Sequence, residues 1–88
     1  MVSQEVTIKN RAGIHARPAA LLVQRANEYS SQILIKKGDN QINAKSIMGI
    51  LALGASYNSV LELIVEGDDE NQALEALVTL FNNRFEEE

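Results

Sequence analysis

Hydrophobic and polar positions change their period several times along this chain. Val6 and Ile8 alternate with Glu5, Thr7 and Lys9, which is the two-residue period of a half-buried strand. "NRAG", residues 10–13, ends that pattern, and Gly13 can take the positive φ of a turn. From Ala16 to about Tyr29 the period lengthens, and Ala19, Leu22, Val23 and Ala26 form one helical stripe. "QILIKK", residues 32–37, returns to strand alternation with Ile33 and Ile35 on one face. "KGDNQ" then reads as a hairpin turn and "QINA" as a short third strand. "SIMGILALG", residues 46–54, is a short apolar helix with Ser46 in the N-cap position. Asn58 tolerates the left-handed conformation and closes a turn before a fourth strand, "VLELIVE", whose Leu61, Leu63 and Val65 share a face. "GDDENQALEALVTLFNNRF", residues 67–85, is an amphipathic helix. Asp68 or Asp69 caps it, and Leu74, Leu77, Val78, Phe81 and Phe85 line its buried side. The final "EEE" reads as a solvated tail.

The predicted order is therefore β-α-β-β-α-β-α. Each strand has one apolar face and each helix one apolar stripe. Two layers satisfy all of them: an α+β fold with a four-stranded antiparallel sheet and three helices on one side. The length, 88 residues, suits one domain spanning 1–88.

Composition narrows the function. With no cysteine there is no disulfide or thiolate metal site, and a single histidine cannot build a multi-histidine zinc site. No metal and no cofactor is expected. The longest weakly polar run, "IMGILALGA", is well short of the roughly 20 residues that span a bilayer. The opening "MVSQEVTIKN" has no basic-then-apolar signal pattern, so a cytoplasmic monomer without membrane insertion is expected. The net charge of −4 argues against nucleic acid as a partner, which would need a basic face. Several basic residues nevertheless flank the histidine, so a local cationic patch is compatible with the acidic total.

The chemistry concentrates in "GIHARPAALLVQ", residues 13–24, which holds the only histidine and the only proline. With His15 at the N-cap, Pro18 falls in the first helical turn, where its missing N–H breaks no intrahelical bond. The amides of Ala16 and Arg17 then face the imidazole. A helix N-terminus carries about half a positive charge and attracts anions, and the Arg17 guanidinium can grip phosphate through two hydrogen bonds. A neutral imidazole is a nucleophile near neutral pH. Once phosphorylated, it would hold a dianion where the dipole and Arg17 favour one. The residue types suit reversible phosphoryl transfer. They are also compatible with an ordinary capping histidine, a solvated arginine and a proline that merely starts a helix.

Two segments together resemble a known family. "GIHARPAALLVQ" and, about thirty residues on, "AKSIMGILALG" (44–54) are similar to the histidine and regulatory-serine regions of HPr. HPr is the histidine-containing phosphocarrier family of the bacterial phosphoenolpyruvate:sugar phosphotransferase system. The resemblance covers essentially the whole chain and implies an open-faced β-sandwich. It implies a carrier, not an enzyme in its own right, which takes a phosphoryl group from phospho-Enzyme I on His15 Nδ1 and gives it to sugar-specific Enzyme IIA domains. Arg17 would stabilise the phosphate. Ser46 would be phosphorylated by an HPr kinase/phosphorylase, and a transcriptional co-regulator would read the product. Two departures stand out. Ala12 replaces the small hydrogen-bonding residue that many members carry, and Gly49 stands where enteric relatives have lysine. With "KSIMG", the second points to the kinase-regulated branch.

Ser46 is also a good helix cap in its own right. Of the apolar residues that follow, Ile47 and Ile50 or a similar pair must face the core. Met48 and Leu51 can then stay exposed near His15. Ala16, Ala20, Ile47, Met48 and Leu51 are the candidate docking residues, methionine being able to repack against several partners. Two rivals remain on the residues alone. A regulatory module working through Ser46 would not need His15. An RNA-binding sheet would need exposed aromatics on its central strands, and both phenylalanines lie in the last helix.

Overall fold

In a computed structural model, residues 1–86 are described. The strands are β1 (Val2–Thr7), β2 (Gln32–Lys37), β3 (Asn40–Asn43) and β4 (Val60–Glu66). The helices are α1 (Ala16–Ala26), α2 (Ile47–Leu53) and α3 (Glu70–Asn82), followed by a single 3-10 turn at Arg84–Glu86. All strand pairs are antiparallel in the order β1-β4-β2-β3. The element order and the open sheet are those expected from the period changes.

Register sorts the side chains. Val6 lies opposite Leu61, Leu63 opposite Ile35, and Val65 opposite Ile33. These residues are buried and form one core with Leu22, Ile50, Leu77 and Phe81 from the three helices. Val23, Leu74 and Val78 lie at its margin, half-buried, whereas Ala73 and Leu80 are fully covered.

Four local expectations need correction. First, α1 ends at Ala26 instead of near Tyr29. Asn27 donates both its backbone amide and its side-chain Nδ2 to the Val23 carbonyl (2.9 and 3.0 Å), and Tyr29 is reached by a turn. Second, β3 runs from Asn40, one residue early, because Gly38 (φ 59°) and Asp39 alone make the hairpin turn. Third, Asp69 occupies the N-cap position of α3 without capping it. Its carboxylate accepts instead from the amides of Ser30 (2.9 Å) and Ser31 (3.0 Å) and from the Ser31 hydroxyl. Glu70 reaches back to the Gly67 amide (3.1 Å) in its place. Fourth, α3 stops at Asn82, and Phe85 belongs to a left-handed turn in which Arg84, Phe85 and Glu86 have φ of 55°, 54° and 64°. The polar run Asn82–Arg84 ends the helix, and the turn sets the Phe85 ring edge-on to Phe81 at 4.8 Å. Glu86 of the acidic tail is exposed; residues 87 and 88 lie outside the described residues.

Candidate functional site

His15 is the N-cap of α1, with extended backbone (φ −105°, ψ −165°), and its side chain does not cap the helix. The residue is exposed, as are Ala12, Ala16, Arg17 and Ala20 around it. Pro18 is buried in the first turn, and the first intrahelical bond runs from the Ala19 amide to the His15 carbonyl at 3.0 Å. Among the described residues no acceptor meets the amides of Ala16 and Arg17. They form the anion-attracting helix end anticipated from the sequence.

The loop before His15 is anchored on both sides. Gly13 has φ +74°, and a Cβ on it would stand 2.9 Å from the Ala55 carbonyl, so no larger residue fits without displacement. The Ile14 amide donates to that same carbonyl at 2.9 Å. Buried Asn10 closes the turn from below, its Nδ2 donating to the Gly13 carbonyl at 2.6 Å. The Asn58 amide donates to the Ile8 carbonyl at 2.8 Å, and Asn58 takes the left-handed conformation expected of it (φ 71°).

Ser46 caps α2, its Oγ accepting from the Gly49 amide at 3.1 Å. Ser46 is exposed. Gly49 is tightly placed, since a Cβ there would lie 3.3 Å from Ile42 Cβ. The core-facing pair of α2 is Ile50 and Leu53, not Ile47 and Ile50. Ile47 therefore joins the exposed apolar face: Met48 is 74%, Ile47 40% and Leu51 38% accessible. α1 packs against α2, so the helix that carries this face is a direct neighbour of the helix that begins at His15. Lys37 and Lys45 donate to carbonyls, of Leu53 (3.4 Å) and Tyr29 (2.7 Å).

Sequence reasoning missed one feature. Arg11, Arg17 and Arg84 border one open depression of about 1140 Å³, together with Ala20, Leu21 and Gln24. Arg11 is one of the basic residues that flank His15 in the sequence, whereas Arg84, far away in the chain, looked like part of a helix. A basic residue within "NRAG" was the one available signal. No cluster of three or more potential metal ligands stands together among the described residues, and none of their helices is long and apolar enough to cross a membrane.

Comparison with known proteins agrees with this geometry. The family model for the PTS HPr component phosphorylation site matches residues 2–83. The phosphocarrier protein HPr of Treponema pallidum is 53% identical over 88 residues, the full length of both chains. The HPr-like protein Crh of Halalkalibacterium halodurans is 49% identical over 78 residues, 89% of this chain and 93% of the relative. The crystal structure of an HPr from Thermoanaerobacter tengcongensis superposes with a TM-score of 0.96 at 52% identity, covering 100% of this chain and 99% of that one.

Proposed function

The chain belongs to the HPr family of phosphocarriers of the phosphotransferase system, and from that premise we propose that His15 is the residue that carries the phosphoryl group. The observation that supports this most is the exposed imidazole at a helix N-terminus whose next two amides have no acceptor among the described residues. The donor is phospho-Enzyme I. The neutral ring keeps its proton on Nε2, and the Nδ1 lone pair attacks phosphorus. The new P–N bond forms as the bond to the donor breaks. The developing charge on the phosphoryl oxygens meets the Ala16 and Arg17 amides and the Arg17 guanidinium. The reverse displacement delivers the group to an Enzyme IIA domain. The chain is a carrier with a covalent intermediate: it turns over no substrate of its own and uses no cofactor.

Ala12 offers no side-chain hydrogen bond to the phosphorylated ring, which leaves Arg17 and the amides as the phosphate's partners. Ala16, Ala20, Ile47, Met48 and Leu51 dock both donor and acceptor. A kinase/phosphorylase acts on Ser46, and the phosphoserine is read by a transcriptional co-regulator. A phosphate there sits at the start of α2, where it leaves the fold intact and changes the charge of the docking face. The setting is the cytoplasm, and the working form is a monomer with this face open.

Incubation with Enzyme I and phosphoenolpyruvate tests the reading. The chain should gain the mass of one phosphate, mapped to the peptide containing His15 and lost in mild acid. His15→Ala should remain folded and gain nothing. A phosphate that survives acid, or that appears on His15→Ala, would place the chemistry elsewhere.

A further inference from the structure

The turn that delivers His15 closes on one buried polar side chain. Arg11 and Ala12 at its tip are exposed, but Asn10 is only 1% accessible, and Gly13 and Ile14 are buried. A side-chain amide loses its solvation when it is covered, so its hydrogen bonds decide whether it is tolerated there. Asn10 bonds to both polar groups of Gly13. The Gly13 amide donates to the Asn10 carbonyl at 3.0 Å, and Asn10 Nδ2 donates to the Gly13 carbonyl at 2.6 Å. An asparagine that merely starts a turn uses its side-chain oxygen, accepting from an amide two residues on. This one also donates, and to a carbonyl three residues on.

The peptide unit between Gly13 and Ile14 is therefore gripped at both ends. Asn10 holds its carbonyl, and the Ala55 carbonyl accepts from its amide at 2.9 Å. A peptide unit is planar, so bonds at its two polar atoms fix its rotation about the chain. That rotation needs fixing here. Gly13 has φ +74°, and glycine also admits backbone angles in which the same unit is turned over. Only Ile14 stands between this unit and His15. The His15 side chain does not cap α1, so the direction in which the chain enters the helix sets where the imidazole stands.

We infer that Asn10 is a positioning residue for phosphoryl transfer: its side-chain bond to the Gly13 carbonyl holds the Gly13–Ile14 peptide unit in the orientation that presents His15 to the incoming phosphoryl group. This rests on the carrier reading above. Asn10 is buried and touches neither the phosphate nor a docked protein. It acts through the backbone, on the rate of the step and not on docking, which the exposed residues of α1 and α2 carry. A reacting atom displaced by about 1 Å loses on the order of a hundredfold in rate.

The test is single-turnover transfer from phospho-Enzyme I, over a range of Enzyme I concentrations, for wild type, Asn10→Ala and Asn10→Asp. Aspartate forms turns as well as asparagine but cannot donate at about pH 8, far above the carboxyl range. Each protein is assayed well below its own melting temperature. Both variants should be slower at saturating Enzyme I by about ten- to a hundredfold, with the half-saturating concentration unchanged. A side chain that only stabilises the fold would leave the saturated rate of the folded protein alone. Saturated rates equal to wild type, or a defect confined to the half-saturating concentration, would overturn the assignment. The wild type supplies a reading that needs no variant: by NMR, one Asn10 Nδ2 proton should resist exchange with solvent, before and after phosphorylation. Rapid exchange of both protons would also overturn it. Wild type that takes no phosphate from Enzyme I would instead defeat the carrier reading, a result distinct from normal transfer by the variants.

Discussion

The amide of Ile14 donates to the carbonyl of Ala55 at 2.9 Å, so the residue before His15 is bonded to the residue after Gly54, the C-cap of α2. This backbone contact fixes the nucleophile relative to the apolar face of α2 independently of any side chain. The two parts of the proposed docking surface, well separated in sequence, therefore stand in a set relation before a partner arrives.

Gly13→Ala should disturb that relation. The new Cβ would face the Ala55 carbonyl at 2.9 Å in a backbone conformation that alanine disfavours. We expect a loss of more than about 1 kcal/mol in stability and a slower gain of phosphate at His15. Thermal melts and single-turnover transfer from phospho-Enzyme I check both. An unchanged melt would mean that the turn relaxes freely.

Arg17→Ala should separate chemistry from folding. Arg17 is exposed and contributes little packing, so the melting temperature should stay close to wild type. Transfer should slow by at least tenfold, a loss of about 1.4 kcal/mol of transition-state stabilisation. Rapid-quench rates equal to wild type would remove Arg17 from the mechanism.

Ser46 performs a structural task that mutation exposes. Ser46→Ala removes the bond to the Gly49 amide and should cost about 1 kcal/mol, with phosphoryl transfer to His15 nearly normal. Ser46→Asp keeps an acceptor at the cap and adds a negative charge. It should melt at or slightly above wild type while binding Enzyme I more weakly, and the defect should shrink in high salt. Calorimetric titration of the two variants decides this. Equal affinities for Ser46→Asp and wild type at low salt would leave Ser46 a cap alone.

Asp69 should add to the acid sensitivity of the fold. The Ser31 hydroxyl foremost, and then the Ser30 amide, hold its carboxyl below the ordinary value of 3.8. A depressed pKa means that the unfolded chain binds the proton more tightly. The contribution is therefore complete above pH 3.8 and is lost as pH falls below it through the lower folded value. Asp69→Asn should melt lower than wild type at neutral pH, and the gap should narrow in acid below that point. A gap independent of pH would assign the effect to shape instead of charge.

Most of the fold was legible because the strands are amphipathic with period two and the sheet has one covered face. Val6, Ile8, Ile33, Ile35, Leu61, Leu63 and Val65 announced that face and are all buried. His15, Arg17 and Ser46 were legible for a local reason, since a cap and a first turn are set by neighbours in sequence. Asp69 was misread as a cap because its actual partners, Ser30 and Ser31, lie nearly forty residues away. Arg84 escaped for the same kind of reason. Its place beside Arg11 depends on a left-handed turn stabilised by the burial of Phe85, and no local pattern encodes that conformation in a non-glycine residue. Ile47 was named both as a core candidate and as a docking residue, because a seven-residue helix offers few periods from which to choose its inner face.

As a carrier, His15 should pass its phosphoryl group in both directions. The direct measurement starts from isolated phosphoprotein, labelled on the phosphate, and splits it between two reactions. One receives an Enzyme IIA domain, the other Enzyme I with pyruvate. Label should leave His15 in both, appearing on the IIA histidine in the first and in phosphoenolpyruvate in the second. Label that remains on the chain in both reactions would contradict it, and would make the phosphohistidine an end product instead of a carried group.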